Sequence, residues 1–150
     1  QRLTPPTLAG TPVDLFVEKL KDWNADWGPD DEAISIMLAN FEILEDETIR
    51  PRLSLDHHIQ ILRAMWEFKT YERASQVFCP MLLLPARQSR LNTAAEQAFL
   101  EAKTNGIARM KQINPAIQVQ WLEDTIHDVP LQRPVELAQF AIEFIQSIRK

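Results

Sequence analysis

The second half of the chain opens on an unbroken apolar run, Val77-Phe78-Cys79-Pro80-Met81-Leu82-Leu83-Leu84-Pro85. The run is too short for a helix, and it lacks the alternation expected of a strand with one face in water. It therefore predicts a buried parallel strand. A long helical stretch follows, starting at Asn92 or Thr93 and ending at Asn114-Pro115, and residues 117–122 predict a second strand.

A last helix is predicted to begin at Pro134, a residue favoured at the first helical position. Its apolar residues recur at helical spacing and form one inner face: Leu137, Ala141, Phe144, Ile145 and Ile148. Strand, helix, strand and helix make a βαβα unit with two parallel strands, which is typical of α/β proteins. Two such strands leave open edges, so we expect further strands outside this chain, and self-association of the chain itself.

The first half of the sequence is predicted to be mainly helical. Residues 1–10 contain two prolines and predict an extended linker. A first helix is predicted to start at Pro12 with Thr11 as its N-cap, and further helices are predicted after Pro29-Asp30-Asp31 and after a cap at Ser54. The stretch 41–53 is ambiguous, with Asp46-Glu47 as the possible turn of a small hairpin. The apolar stripes predict that the first and third helices share a core formed by Phe16, Leu20, Leu62 and Met65.

Composition excludes several classes of protein. The chain has 150 residues, 45% of them hydrophobic, and a formal net charge of −5, which is ordinary for a globular domain. No cluster of Lys and Arg supports binding to nucleic acid, and no apolar run approaches the roughly 20 residues of a membrane span. We therefore expect a soluble, cytoplasmic protein without nucleic-acid or membrane partners. The single Cys79 excludes an internal disulfide, and it is predicted to be buried and inert.

Glycine is scarce, with only Gly10, Gly28 and Gly106 in the chain. Neither the dinucleotide-binding fingerprint nor a P-loop can be written with such spacing, and the motif G-x-S-x-G is absent. No cofactor and no metal site are predicted. The first residue is Gln1 rather than Met, which favours a fragment or a processed product.

The most informative segment is Trp121-Leu122-Glu123-Asp124-Thr125-Ile126-His127-Asp128-Val129-Pro130-Leu131-Gln132-Arg133-Pro134. It places His127 just past the carboxyl end of the second strand, where open α/β sheets carry their sites. With the strand of residues 77–85 and a helical insertion before it, the chain resembles the C-terminal part of an α/β-hydrolase. In that superfamily the catalytic histidine follows the last strand, and His127 matches this position.

The resemblance implies a division of the chain into three parts. Residues 1–10 would be a linker, residues 11–75 a helical cap or lid, and residues 76–150 the C-terminal βαβα part of the hydrolase core. His127 would act as the base of a Ser-His-acid site. Asp124 and Asp128 lie too close to it along the chain to be the triad acid, and we expect them to orient the loop.

One feature departs from the superfamily pattern. Members often carry an aspartate shortly after the first of these strands, whereas this chain reads Pro85-Ala86-Arg87-Gln88-Ser89-Arg90. Either the acid comes from a preceding strand outside this chain, or the site is modified. Ser89 occupies the region where the acid is expected.

Other candidate residues have simpler interpretations. His57 and His58 are adjacent on a helix and point about 100° apart, so they cannot chelate one metal from one face. The tryptophans are predicted to be core residues rather than an acyl pocket, at Trp23, Trp27, Trp66 and Trp121.

Two hypotheses follow. In the first, the chain supplies the catalytic His127 and the lid of a serine hydrolase acting on a small-molecule ester or a related substrate. The nucleophile would come from an N-terminal half that lies outside this chain, and the chain alone would be inactive. In the alternative, it is a non-catalytic interaction module with the same fold. An upstream G-x-S-x-G would favour the first hypothesis.

Overall fold

The computed structural model describes residues 6–23, 27–88, 90–91 and 93–149. Contacts divide the chain into two compact units, residues 1–68 and 69–150. The boundary expected from the sequence falls a few residues later, after residue 75. The assignment of residues 11–75 as a cap remains a prediction.

The described part of the first unit combines helices with a small antiparallel sheet whose strand order is β1-β3-β2. Its elements are β1 (Thr11–Pro12), α1 (Val13–Trp23), α2 (Asp31–Leu38), β2 (Phe41–Ile43), β3 (Thr48–Pro51) and α3 (Leu55–Glu67). The three predicted helices are confirmed, and Ser54 caps α3 by accepting a hydrogen bond from the His57 amide. Thr11 and Pro12 were expected to cap and start α1. Instead they pair with Ile49 and Thr48 of β3.

The hairpin predicted at Asp46-Glu47 is confirmed. Glu47 has a φ of 57°, in the left-handed region that tight hairpin turns require. The Asp46 carboxylate accepts hydrogen bonds from the Thr48 amide at 3.1 Å and from the Thr48 hydroxyl at 2.7 Å. These bonds lower the pKa of Asp46, because they stabilise the charged form.

The core of the first unit lies between α1, α2 and the sheet. Its buried members are Phe16, Leu20, Ile34 and Ile49, and the Phe16 ring contacts Phe41 edge to face with centroids 4.6 Å apart. The prediction that α3 shares this core is wrong. No residue of α3 is buried and Met65 is 68% exposed, because α2 and the sheet already cover the apolar side of α1.

The described part of the second unit contains two parallel strand pairs and four helices. Its elements are α4 (Thr70–Ala74), β4 (Met81–Leu83), β5 (Ala86–Arg87), α5 (Ala94–Ile113), β6 (Ile117–Val119), β7 (Leu122–Glu123), α6 (Val129–Gln132) and α7 (Pro134–Ile148). Strand β4 pairs with β6, and β5 pairs with β7. The predicted βαβα arrangement with parallel strands is confirmed, and α6 is an additional short helix.

The two parallel pairs form one ladder. Partners lie 36 residues apart throughout, from Met81 opposite Ile117 to Arg87 opposite Glu123. Between the pairs, the amides of Gln120 and Leu122 donate to the carbonyls of Leu83 and Pro85, both at 3.0 Å. Pro85 has no N–H to donate, so the regular pattern is interrupted there. The ladder continues in the same register on either side of this proline.

The first strand starts later than the apolar run suggests. Pro80 cannot donate to a ladder, and β4 begins immediately after it. Phe78 is 94% exposed and Cys79 is exposed as well. The prediction that Cys79 is buried is therefore wrong, because this residue precedes the strand rather than belonging to it.

Helix α5 begins and ends as predicted. Thr93 and Glu96 form a reciprocal capping box at its start, which satisfies two backbone donors that have no partner within the helix. At its end, the Asn114 side-chain amide donates to the carbonyls of Ala74 at 3.2 Å and Val77 at 3.0 Å. These bonds attach the end of α4 to the end of α5. None of the helices in the described ranges is long and apolar enough to cross a membrane.

Candidate functional site

The candidate site begins where the parallel ladder ends. The last bond across it joins the Thr125 amide to the Arg87 carbonyl at 3.3 Å. The chain then leaves β7 in a loop, residues 124–128, that leads into α6. Loops at the carboxyl ends of parallel strands are the usual position of binding sites in open α/β sheets.

The start of this loop is held by a buried threonine. Thr125 is 1% exposed, and its hydroxyl donates to the Leu122 carbonyl at 2.8 Å. Asp124 adopts a φ of 52°, a left-handed conformation that Asp tolerates better than most residues. Its carbonyl accepts a bond from the Arg133 guanidinium at 3.1 Å. The turn out of β7 is thus fixed from both sides.

The residues flanking His127 are also anchored. The Ile126 amide donates to the Gln132 side chain at 2.9 Å, and Val129 at the start of α6 is buried. The backbone on either side of His127 therefore contacts the body of the second unit.

The ring of His127 itself points into solvent, with a side chain that is 99% exposed. Its Nδ1 lies 3.3 Å from a carboxylate oxygen of Asp128. In the tautomer whose Nδ1–H faces Asp128, the Nε2 atom has its lone pair available to accept a proton. The ring is therefore accessible to a molecule in the adjoining cleft, and its contact with Asp128 is one between neighbouring residues of the loop.

A cleft of about 570 Å³ adjoins His127 in the second unit. Its wall comes from the end of the first strand, the first turns of α5 and the His127 loop. It is mainly apolar and is lined by Leu84, Pro85, Ala86, Arg87, Gln88, Leu91, Glu96, Phe99, Leu100, Lys103, Thr125, Ile126, His127 and Val129. Apolar clefts with a few polar groups are typical of small-molecule sites.

Arg87 lies at the end of β5, in the wall of the cleft. Its Nε donates to a carboxylate oxygen of Glu123 at 2.8 Å, and its Nη2 donates to the other oxygen. The guanidinium also lies 5.0 Å from the centroid of the Trp121 ring. The hydrogen bond from Arg87 lowers the pKa of the Glu123 carboxyl, and the same bond raises the pKa of Arg87. Neither group was recognised from the sequence, since the pairing depends on the register of the two strands.

Lys103 is a second residue that the sequence did not single out. Its ammonium donates to the Ala86 carbonyl at 2.8 Å and lies 5.1 Å from the centroid of the Phe99 ring. No sequence motif marks this lysine, because its contact with Ala86 results from the packing of α5 against the end of β5.

The other candidate residues lie elsewhere. His57 and His58 are on α3 in the first unit, where His58 lines a different cavity of about 530 Å³. Trp23 and Trp66 were predicted to be core residues, and this is wrong for both, since Trp66 is 90% exposed and Trp23 is mainly exposed. Ser89 lies outside the described residues. Among the residues described, no group of three or more His, Cys, Asp or Glu could hold a metal ion.

Comparison with known proteins supports the fold. The sequence matches no protein-family model and no curated protein at a significant level. The structure is similar to the crystal structure of E-2-(acetamidomethylene)succinate hydrolase, with a TM-score of 0.68 and 18% sequence identity. The match covers 92% of this chain and 47% of that one, so this chain spans about half the length of the solved structure.

The solved structure is that of an α/β-hydrolase. At 18% identity the similarity concerns the fold. With its parallel strand ladder and mixed helix and strand composition, this chain has a partial α/β-hydrolase fold. The fold class expected from the residues around His127 is confirmed.

Proposed function

We propose that this chain supplies the general base and the lid of a serine hydrolase. His127 would take a proton from a nucleophile and return it to the leaving group, as the imidazole of a Ser-His-acid site does. Residues 11–75 would act as the lid over the substrate. The nucleophile and the oxyanion-hole amides would lie in sequence outside these 150 residues, in a protein that we expect to be cytoplasmic.

The observation that carries the proposal is the position of His127 relative to the cleft. The ring is exposed in the loop after β7, while the backbone beside it is anchored through Thr125 and Ile126. A base must be held in place and still reach a substrate. An anchored loop with an exposed ring beside a mainly apolar cleft meets both requirements.

The proposal is tested with the polypeptide that carries these residues together with an upstream nucleophile motif. Hydrolysis of p-nitrophenyl esters is measured for His127→Ala and for a control, Lys111→Ala, at an exposed position of α5 outside both the lid and the cleft. Because the base and nucleophile act as a unit, we expect His127→Ala to lower kcat by about a thousandfold or more. The control should stay within about twofold. A His127→Ala protein that retains its kcat would overturn the proposal.

Three observations favour a second candidate, a non-catalytic interaction module. No carboxylate occurs between Cys79 and Glu96, and Arg87 is paired with Glu123 near the expected acid position. In addition, α3 exposes large apolar side chains, with Leu55, Ile59, Met65 and Trp66 all exposed. An encoded polypeptide in which the upstream nucleophile serine is missing would favour this module.

A further inference from the structure

Lys103 places a positive charge in the wall of the cleft that His127 lines. It is half-buried, and none of the ion pairs between described residues includes it. An ammonium group has three N–H donors, and the Ala86 carbonyl, 2.8 Å away, accepts one of them. Donors therefore remain for a group that enters the cleft.

The surroundings of this ammonium are apolar. The ring of Phe99 lies 5.1 Å away, and the cleft is also lined by Leu84, Leu91, Leu100 and Ile126. A charge against an apolar wall attracts an opposite charge more strongly than it would in open water. The same wall favours an apolar ligand body.

The other charged groups of the cleft limit the charge of the ligand. The Arg87 guanidinium is engaged by Glu123 on two nitrogens. The Glu96 carboxylate accepts a hydrogen bond from the Thr93 amide at 2.9 Å. Glu96 precedes Lys103 by seven residues, so the two residues are separated by about 10.5 Å along the helix axis. A phosphate dianion would call for several donors, whereas Lys103 offers a single cation. A monocarboxylate fits this balance.

We propose that the cleft binds small monocarboxylates with an apolar body, and that Lys103 contacts the carboxylate. The binding of carboxylates does not depend on catalysis. If His127 also has its proposed role, on which this further step rests, the substrates are esters that also carry a carboxylate. Lys103 would bind the carboxylate of the substrate, and His127 would transfer the proton between the nucleophile and the leaving group.

The binding part is tested on the 150-residue chain with hexanoate and its neutral counterpart, hexanamide. Both are titrated into ¹⁵N-labelled protein and followed by NMR. Hexanoate should bind about tenfold more tightly, as expected for a hydrogen bond to a charged group. The shifted amides should include those of Ala86, Phe99 and Lys103.

Two variants of Lys103 and one control complete the test. Lys103→Met should remove the preference for hexanoate and leave hexanamide binding within about twofold, whereas Lys103→Arg should keep the preference. Lys111→Met, on an exposed position of the same helix, should behave as the wild type. Circular dichroism verifies that each variant folds. Equal binding of the two ligands by the wild type, or shifts confined to residues outside the cleft, would overturn the proposal.

A further arm separates this inference from the proposed hydrolase function. The preference for hexanoate is measured on the wild-type 150-residue chain, and the dependence of hydrolysis on His127 is measured in the longer polypeptide that carries the nucleophile motif. If the preference is present but His127 proves dispensable for hydrolysis, the proposed function fails and the carboxylate site stands. If hydrolysis needs His127 but the preference is absent, the carboxylate site fails alone.

Discussion

Arg87 and Glu123 stand opposite each other in the parallel ladder, and their side chains form a two-pronged ion pair at its carboxyl end. The Trp121 ring lies under the guanidinium at 5.0 Å, which holds the arginine fork toward the carboxylate. The pair of Arg87 and Glu123 is thus the last pair of the ladder, and it lies next to the cleft.

This ion pair predicts how stability responds to acid. The pKa of Glu123 lies below its ordinary value of 4.5 because of the hydrogen bond from Arg87. A carboxyl group whose pKa is lower in the folded than in the unfolded state stabilises the fold at pH values above the unfolded pKa. That contribution is lost as the pH falls through the folded pKa. The free energy of unfolding is measured by urea denaturation at a pH of about 7 and at a pH of about 3.5. Its decrease between the two pH values should be smaller for Glu123→Gln than for the wild type.

The partner substitution provides the control for this prediction. Arg87→Gln removes the donor and should reduce the loss of stability on acidification to the same extent as Glu123→Gln. Because both side chains are partly exposed to solvent, the effect is expected to be modest. Identical acid responses of the wild type and both variants would contradict the assigned role of the pair.

A second prediction concerns the core of the first unit. Phe16 is fully buried among Leu20, Ile34 and Ile49, so Phe16→Ala should lower the free energy of unfolding by about 3–5 kcal/mol. Met65→Ala, on exposed α3, should change it by less than about 0.5 kcal/mol. Chemical denaturation measures both. A large effect of Met65→Ala would contradict the structure and support the prediction that α1 and α3 share a core.

The error about α3 shows what an amphipathic stripe can and cannot predict. The spacing of Phe16 and Leu20 correctly indicates that α1 buries one face. The stripe of α3 is just as regular, yet Met65 is exposed. Periodicity indicates that a face is apolar, but the element that covers it depends on tertiary packing. The hairpin turn at Asp46-Glu47 has a local cause, the hydrogen bonds that Asp46 accepts from Thr48, so the sequence suggested it as one interpretation of an ambiguous stretch.

The same distinction applies to the candidate site. The position of His127 after the second strand follows from the order of elements, and the sequence is sufficient to predict it. The pairing of Arg87 with Glu123 depends on a register across 36 residues, and the contact of Lys103 with Ala86 depends on helix packing. Neither leaves a periodic signal. Cys79 was misplaced because a continuous apolar run does not show that Pro80 delays the start of the ladder.

A third prediction concerns the anchor of the His127 loop. Thr125→Val keeps the shape of the side chain but removes the hydroxyl that donates to the Leu122 carbonyl. We expect a loss of about 1–3 kcal/mol in the free energy of unfolding, because a buried acceptor loses this donor. Amide exchange at residues 126–128 should accelerate as well. Thr125→Ser keeps the hydroxyl and should preserve slow exchange, and equal exchange in both variants would show that this bond does not hold the loop.

A fourth prediction concerns self-association of the 150-residue chain. Helix α7 exposes Val135 and Ile142, which lie two turns apart on one face. Exposed apolar surface of this kind promotes association. Sedimentation velocity should show oligomers at high concentration, and the double variant Val135→Glu, Ile142→Glu should shift them toward monomer. Ser147→Glu, a charge at an exposed polar position of the same helix, should have little effect, and a wild type that stays monomeric would contradict the prediction.

The last prediction separates the position of a base from the presence of an active site. His127 is exposed and able to accept a proton, but a serine nucleophile of the α/β-hydrolase type needs a glycine-flanked turn between a strand and a helix. Gly10, Gly28 and Gly106 form no such motif with any serine of this sequence. A fluorophosphonate probe should therefore leave the 150-residue chain unlabelled, and its hydrolysis of p-nitrophenyl acetate should equal that of His127→Ala. A base without its nucleophile and oxyanion hole supplies little of the rate. Covalent labelling of any serine that His127→Ala abolishes would mean that the chain already contains a complete nucleophilic site.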